Sequence, residues 1–157
     1  MAEQLGGRLL DASGADLRLI GELDRLCFDP GWDTATWRSE LESDNSAVVL
    51  CQSGPGPCVG YYCVSWVLEI AELRRMAVVP AARGRGLGGD LLRHALAELA
   101  GRSIEKLWLE VRASNSAARA LYEGAGFRVD RIRRGYYRDP LEDGVDMSLD
   151  LRGLAGG

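Results

Sequence analysis

The sequence predicts a mixed α/β or α+β fold, with about four helices packed on a twisted, mostly antiparallel sheet of about seven strands. Helical periodicity and strand-like runs follow the order strand, two helices, three strands, helix, strand, helix, two strands. The 157 residues, 46% apolar and 27% charged, suit one globular domain that buries a core. We therefore expect residues 1–152 to form a single domain and residues 153–157 to be a flexible tail.

The first half of the chain is predicted to contain four strands, with two helices between the first and the second. In order, these segments are residues 7–12, 15–27, 34–41, 47–51, 59–67 and 69–79. Leu19, Ile20 and Leu23 repeat at helical spacing in the first helix, and the Asp-Pro-Gly at 29–31 ends it. The turn-rich residues 53–57 separate two of the strands.

The second half is predicted to alternate helices with strands and to close with two strands. The helices are residues 90–100 and 115–125, and the strands are residues 104–111, 127–137 and 145–151. A glycine follows each helix as a natural stop. Alternation in the first of these strands puts Leu107 and Leu109 on one face, and Trp108 and Glu110 on the other.

Composition and charge argue against several classes of function. A net charge of −4 disfavours a general nucleic-acid binder, although arginines cluster at residues 131–134, as on a solvated face or against an acidic partner. No apolar run is long enough for a membrane span, and the N-terminus lacks the layout of a signal peptide, so we predict a cytoplasmic protein. Four cysteines without a C-x-x-C pair and a single histidine, His94, indicate reduced thiols and no metal site.

A glycine-rich stretch at residues 83–89, Arg-Gly-Arg-Gly-Leu-Gly-Gly, joins the strand that ends at Val79 to the helix that follows. The start of a helix leaves backbone N–H groups without partners, and glycines there let a phosphate approach the backbone. Arg83 and Arg85 add forked donors that suit phosphate oxygens. The stretch therefore predicts a phosphate-binding loop. Glycine and arginine content alone would equally fit a tight turn with solvated arginines.

Two phosphate-binding patterns match this loop. Gly84, Gly86 and Gly89 satisfy the dinucleotide pattern G-x-G-x-x-G, and Glu110 lies about twenty residues further on. A dinucleotide fold, however, usually opens with this unit and needs several parallel strands after it, whereas here more than half the chain comes first. The other pattern is Arg83-x-x-Gly86-x-Gly88, which resembles the pyrophosphate loop of the Gcn5-related N-acetyltransferases.

Further motifs resemble the ribosomal-protein-alanine N-acetyltransferase branch of that superfamily, whose fold has a mixed, mostly antiparallel sheet. They are Met76-Ala77-Val78, Leu-Trp-Leu-Glu-Val-Arg-Ala-Ser-Asn at 107–115, Ala-Leu-Tyr-Glu at 120–123, Gly-Phe at 126–127 and Arg-Arg-Gly-Tyr-Tyr at 133–137. Residues 27–32 look like the family's Pro-Trp loop with Gly31 inserted, and Arg75 stands where asparagine is common. These two departures fall where the acceptor would make contact.

The resemblance implies acetyl-coenzyme A as co-substrate and no metal. The diphosphate site it implies consists of Arg83, Gly84, Arg85, Gly86, Leu87, Gly88 and Gly89. Met76, Ala77 and Val78 would pair with the pantetheine arm, where the strand parts from its neighbour, and an N–H near Val78 would stabilise the oxyanion. Asn115 is implied to contact pantetheine, although its position equally fits a helix N-cap.

The resemblance also assigns two catalytic residues. Glu110 is implied to be the general base, and desolvation beside Trp108 would raise its pKa toward neutrality. The alternation of apolar and polar residues in this strand, taken alone, favours Glu110 as an exposed surface charge instead. Tyr122 is implied to be the general acid, although its helical spacing favours core packing. Because a phenol near pKa 10 loses about 2 kcal/mol in protonating a thiolate near 8.5, Tyr122 would mainly hydrogen-bond the sulfur unless its own pKa is lowered.

The implied reaction is direct attack by a protein N-terminal α-amine, that of the N-terminal alanine of the eighteenth small-subunit ribosomal protein, on the thioester. Tyr136, Tyr137 and Trp32 would wall the acceptor groove, or would be ordinary strand and loop aromatics. A small free amine or a lysine remains an alternative acceptor. A non-catalytic coenzyme-binding or dinucleotide-binding protein remains a different class, and the oligomeric state stays open.

Overall fold

The computed structural model describes residues 7–155, and within this range seven strands form one sheet in the order β1-β2-β3-β4-β5-β7-β6. The strands are β1 (Gly7–Asp11), β2 (Ser46–Ser53), β3 (Cys58–Val67), β4 (Ile70–Val78), β5 (Lys106–Arg112), β6 (Arg128–Tyr137) and β7 (Glu142–Asp150). The helices are α1 (Leu17–Cys27), α2 (Thr34–Glu42), α3 (Leu87–Gly101), α4 (Ser116–Gly124) and α5 (Arg152–Ala155). The predicted mixed fold with a seven-stranded, mostly antiparallel sheet is confirmed.

Several element boundaries differ from the prediction; strand β7, for example, begins at Glu142 instead of residue 145. Helix α3 begins at Leu87 instead of residue 90, because Gly86 adopts a left-handed conformation (φ 80°) and acts as the N-cap. Strand β5 begins at Lys106, since the Ile104 amide still bonds to the Leu99 carbonyl at the end of α3. Helix α5 occupies most of the segment expected to be a tail and lies against α3. Residues 156 and 157 of that segment, like residues 1–6, lie outside the described residues.

Helices cover both faces of the sheet. Tyr61 on β3 points to α1, where its hydroxyl donates to Asp24, while its neighbour Tyr62 points to α3, where its hydroxyl lies 2.8 Å from Nδ1 of His94. Both tyrosines are fully buried. On β5, Leu107, Leu109 and Val111 are buried, whereas Trp108, Glu110 and Arg112 are only half-buried, as the alternation predicts. The sheet face that carries Trp108 is therefore more open where it leaves the cover of α1 and α2.

Strand β4 changes partners along its length, and this opens the molecule at one place. It pairs with β3 throughout, but it pairs with β5 only over Ile70–Glu72, in parallel. A bulge leaves Arg74 unpaired between residues 73 and 75, and bulges bend the strand that contains them. Beyond Glu72, β4 and β5 run apart, so a gap opens in the sheet at their C-terminal ends.

Residues 7–155 contain no helix that is both long and apolar enough to cross a membrane. In the same range, no group of three or more His, Cys, Asp or Glu side chains is arranged to hold a metal ion. All four cysteines are free thiols: Cys51 and Cys63 are buried, and Cys27 and Cys58 are half-buried.

Candidate active site

The gap between β4 and β5 exposes the backbone of the last residues of β4. The Val79 amide donates to the Val59 carbonyl of β3, so the alternating residues Met76 and Val78 direct their backbone groups away from β3 and toward the gap. The Val78 carbonyl accepts a hydrogen bond of 2.8 Å from Nε of Arg83. The Val78 amide therefore faces the gap as a donor.

The glycine loop leads from this gap into α3. Gly84 and Gly86 both have positive φ, 83° and 80°, and a side chain at either position would be strained. Within the described residues, the backbone amides of residues 84–89 donate no hydrogen bond to another residue. This run of free amides at the N-terminus of a fifteen-residue helix makes a site for an anion.

The two loop arginines are both exposed but differ in their contacts. Arg83 is anchored to Val78, and Arg85 makes only a long 3.5 Å contact with the Ser53 hydroxyl. Leu87 is 2% exposed and belongs to the core, so only its backbone amide is available to a ligand. The loop therefore offers backbone donors together with one anchored and one loosely held guanidinium group.

A groove of about 480 Å³ runs from the gap along this loop. Residues of the predicted coenzyme and catalytic sites line it: Met76, Ala77, Val78, Arg83, Gly84, Gly86, Leu87, Gly88, Asn115 and Tyr122. The predicted base Glu110, like Arg85 and Gly89, is not part of its lining. The lining also includes Cys27 and Phe28 from the end of α1, and Ala117, Ala118 and Leu121 from α4, which the sequence analysis did not single out as site residues.

Two residues near α4 have well-defined surroundings. Asn115 is the N-cap of α4, and its Oδ1 accepts from the Ala118 amide at 3.2 Å, which leaves its side-chain NH₂ group free to donate toward the groove. Tyr122 is 7% exposed and packs against Phe127, with ring centroids 5.6 Å apart. Burial raises the pKa of Tyr122 to about 12.

Glu110 lies on β5, which borders the gap, and its side chain is half-buried. The Tyr137 hydroxyl donates to its Oε1 at 3.2 Å, and Nε of Arg133 lies 3.4 Å from its Oε2. Burial raises the pKa of Glu110, and the nearby Asp146 carboxylate raises it further. The Tyr137 hydrogen bond and the Arg133 charge oppose this, but the net direction is upward.

The predicted acceptor residues fall into two groups. Tyr136 and Tyr137 meet edge to face at 5.1 Å, and Tyr137 also stacks with the Arg112 guanidinium group at 4.1 Å. Trp32 lies on the connection between α1 and α2, beside Trp37 at 4.7 Å. In the described part of the chain, no aromatic contact or hydrogen bond joins Trp32 to either tyrosine.

The sequence matches the Acetyltransferase (GNAT) family over residues 17–127. Over 122 residues it is 45% identical to the ribosomal protein bS18-alanine N-acetyltransferase of Escherichia coli (strain K12), covering 76% of this chain and 81% of that protein. Over 142 residues it is 37% identical to the N-alpha-acetyltransferase RimI of Mycobacterium tuberculosis, covering 87% of each. This chain is a GNAT acetyltransferase.

Solved structures agree with this membership. The crystal structure of the ribosomal-protein-S18-alanine N-acetyltransferase from Escherichia coli matches this acetyltransferase with a TM-score of 0.84 and 34% identity, over 92% of this chain and 94% of that chain. The fold is also that of Arabidopsis thaliana NAA60 in complex with acetyl-CoA, which has a TM-score of 0.82 at 17% identity and covers 92% and 98% of the two chains.

As a GNAT N-acetyltransferase, this enzyme uses acetyl-coenzyme A. The groove fits such a co-substrate in two respects. The free amides and the arginines of the loop suit a diphosphate. The exposed β4 backbone suits an extended arm that pairs with it as an added strand.

The structure adds charged residues that the sequence analysis of this acetyltransferase did not single out. Glu72 pairs with Trp108 across the parallel β4–β5 contact, and burial followed by the charge of Glu110 raises its pKa. Arg133 bridges Glu110 and Asp146, with its Nε 3.0 Å from Asp146 Oδ2. The sequence leaves open whether the arginines at 131–134 form a solvated face or meet an acidic partner, because only the pairing of β6 with β7 brings Arg133 to Asp146.

Proposed function

We propose that this enzyme transfers acetyl from acetyl-coenzyme A to the N-terminal α-amine of a protein. The acceptor we propose is the N-terminal alanine of ribosomal protein bS18, the substrate in the name of the 45% identical Escherichia coli relative. This acceptor would place the reaction in the cytoplasm. The placement of Glu110 carries the proposal: a carboxylate with a raised pKa lies on β5, across the gap from the end of β4 that lines the coenzyme groove.

In this proposal Glu110 is the general base for the incoming amine. At pH 7 an α-amine with a pKa near 8 costs about 1 kcal/mol to deprotonate, whereas a lysine near 10.4 costs more than about 4. A carboxylate whose pKa is raised above that of an ordinary glutamate remains only a moderate base. Glu110 is therefore matched to an α-amine better than to a lysine side chain.

The remaining site residues hold the co-substrate and stabilise charge. The amides of residues 84–89, with Arg83 and Arg85, bind the diphosphate, and the side-chain NH₂ group of Asn115 donates to the pantetheine arm. The Val78 amide donates to the thioester oxygen, where negative charge develops during attack. Tyr122 donates a hydrogen bond to the departing sulfur. Tyr136 and Tyr137 form one wall of the acceptor groove, and the segment that carries Trp32 forms the other.

Three peptides of one sequence test this function. The first begins with alanine and contains an internal lysine, the second is the same peptide with a blocked N-terminus, and the third begins with a bulky residue. We expect the enzyme to acetylate only the first, because the proposed aromatic walls would admit a chain only by its end and the lysine arrives protonated. Acetylation of the blocked peptide at its lysine, at a comparable rate, would contradict the proposal.

A further inference from the structure

Asp24 on α1 is a fully buried carboxylate surrounded by donors from four parts of the chain. It accepts hydrogen bonds from the Trp32 amide at 2.6 Å, the Tyr61 hydroxyl at 2.5 Å and, more weakly, Nε1 of Trp37 at 3.4 Å. Arg75 on β4 adds a two-pronged ion pair, with Nε 2.9 Å from Oδ1 and Nη2 3.1 Å from Oδ2. Burial alone would raise the pKa of Asp24, but these donors hold it below its ordinary value. Asp24 is therefore charged at neutral pH.

Arg75 connects this carboxylate to the segment between α1 and α2, residues 28–32. Its guanidinium carbon lies 3.6 Å from the centroid of the Phe28 ring and 4.9 Å from that of Trp32. Cation–π contacts of this kind are strongest when the charge is shielded from water, and the Arg75 side chain is only 16% exposed. Both ends of the segment are thus held by one guanidinium group.

Gly31 explains how the segment passes so close to Asp24. A Cβ atom added at Gly31 would lie 2.8 Å from Asp24 Oδ2 and 3.4 Å from Cγ of Arg25. The carboxylate cannot move aside cheaply, because Arg75, Tyr61 and the Trp32 amide all hold it. The glycine that interrupts the Pro-Trp pattern is therefore required by the buried carboxylate.

Residues 28–32, which Asp24 and Arg75 hold, lie beside the candidate active site. Phe28 lines the coenzyme groove, and Arg75 immediately precedes Met76 at the gap. Strand pairing places Arg75 opposite Cys63 and Glu72 opposite Ser65, so Arg75 and Glu72 share the sheet face that also carries Glu110. Replacing a buried ion pair by uncharged residues is often neutral or stabilising, so stability alone does not account for a charged pair at this position.

We propose that Asp24 and Arg75 are positioning residues that fix residues 28–32 as the wall of the acceptor site opposite Tyr136 and Tyr137. This inference rests on the proposed acetylation of a protein N-terminus. The pair acts through the segment it holds: the Asp24 carboxylate fixes the Trp32 amide, and the Arg75 guanidinium fixes the two rings. We expect it to control acceptor binding more than coenzyme binding, because Phe28 alone of residues 28–32 lines the coenzyme groove and the proposed diphosphate site is the loop at residues 83–89.

The main test variant is the double substitution Asp24→Asn/Arg75→Gln, which removes both charges and leaves no unpaired buried ion. We expect the KM for the alanine-first peptide to rise about tenfold or more, with kcat and the acetyl-coenzyme A Kd each changed less than about threefold, the pattern for lost binding of one substrate. Gly31→Ala, which displaces the segment with both charges present, should raise the same KM. Adding it to the double variant should give little further change, because coupled residues are not additive.

The matched control is Arg18→Gln/Glu22→Gln, which removes an ion pair from the exposed face of the same helix. We expect it to leave the KM for the peptide and the Kd for acetyl-coenzyme A unchanged. If the Asp24/Arg75 variant keeps the wild-type acceptor KM, the inference is wrong. If it loses acceptor binding, coenzyme binding and melting temperature together, the pair is merely structural and the inference is equally wrong.

Hydrogen exchange separates this inference from the proposed function. The Trp32 amide, bonded to Asp24, should be protected in the wild type and should lose protection about tenfold or more in the double variant, while α3 stays unchanged. Unchanged protection would overturn the positioning role even if no peptide is acetylated. A wild-type enzyme that acetylates none of the peptides, but shows the expected exchange, would contradict the acceptor assignment alone.

Discussion

At the scale of single residues, the surroundings of Glu110 make it the candidate base, but a second carboxylate lies on the same sheet face. We predict that Glu110→Gln lowers kcat about a hundredfold or more, the usual contribution of base catalysis, with little change in acetyl-coenzyme A affinity. Steady-state kinetics and calorimetric titration measure the two effects. Glu72→Gln is the matched control, because Glu72 also has a raised pKa.

The control decides between the two carboxylates. We expect Glu72→Gln to retain turnover within about tenfold, since Glu110 still supplies the base. If Glu110→Gln keeps wild-type turnover from pH 6 to 9 and Glu72→Gln does not, the base is Glu72.

Tyr137 supplies a second prediction, on pH dependence. Burial raises the pKa of Glu110. The hydrogen bond from Tyr137 stabilises the ionised carboxylate and therefore lowers that pKa. Tyr137→Phe should raise the pKa of Glu110 further, so the acidic limb of kcat/KM against pH should move to higher pH. Tyr136→Phe, which removes a hydroxyl that makes no bond to Glu110 in the described part of the chain, should not move it. A limb at the same pH in wild type and Tyr137→Phe would count against Glu110 as the titrating base.

Tyr122 is less suited to proton transfer than the sequence alone indicated. With its pKa raised to about 12, full transfer to a thiolate near 8.5 would be uphill by roughly 5 kcal/mol. We predict that Tyr122→Phe lowers kcat about tenfold to a hundredfold, the value of a hydrogen bond to a charged group. The loss should shrink with an acetyl donor whose leaving thiol is more acidic. An equal loss with both donors would show that the Tyr122 hydroxyl does not act on the leaving sulfur.

At this scale the sequence predicted residues through motifs and missed residues that act through contacts. Glu110 and Tyr122 stand in recognisable patterns. Asp24, by contrast, stands in an amphipathic helix with no motif around it, and only the fold brings Arg75 to it across 51 residues of sequence. Strand alternation leaves open whether a charged side chain is paired in the interior or solvated.

At the scale of elements, the N-terminus of α3 is the feature on which we expect coenzyme binding to depend. Gly88 lies in the first turn of α3, and a Cβ there would meet Leu121 only at an ordinary 3.6 Å. We predict that Gly88→Glu abolishes measurable acetyl-coenzyme A binding, because the new carboxylate occupies the diphosphate site. Folding should not suffer, since an acidic residue in the first turn of a helix is favourable and Gly is a poor helix former.

The control for this element is Gly88→Ala, which adds the Cβ without the charge. We expect calorimetric titration to give an affinity within about threefold of wild type, and thermal melting to place both variants at or above the wild-type midpoint. Gly86 is less suitable for this test, because its φ of 80° would strain any side chain and confuse folding with binding. If a stable Gly88→Glu variant binds acetyl-coenzyme A with wild-type affinity, the loop does not bind the diphosphate.

The elements themselves were largely predictable, because hydrophobic periodicity and glycine punctuation set the sequence order of α1 to α4 and all seven strands. Periodicity could not locate the start of α3, since glycines carry no hydrophobic signal and Gly86 caps the helix by its backbone alone. It also could not locate the point where β4 leaves β5. That point depends on which backbone groups pair after Glu72 and on the bulge at Arg74.

At the scale of the whole molecule, the proposed sites give each substrate its own side of one gap in the sheet. The coenzyme groove follows the end of β4 into α3 and α4. The proposed acceptor walls come from the α1–α2 connection and from β6, on the sheet face that carries Glu110. Amine and thioester would then meet between the strands. Holding two reactants in a well-oriented geometry can lower the activation barrier by up to about 7–11 kcal/mol.

The most direct test of this account is mass spectrometry of N-terminal peptides from small-subunit ribosomal proteins, prepared unacetylated and incubated with acetyl-coenzyme A with or without the enzyme. The account predicts one added acetyl group on the N-terminal alanine of bS18, only when the enzyme is present, and none on lysine side chains. Glu110→Gln protein serves as the matched control and should leave that peptide almost unmodified over the same time. Acetylation confined to lysines, or an unmodified bS18 N-terminus with active wild-type enzyme, would contradict the account.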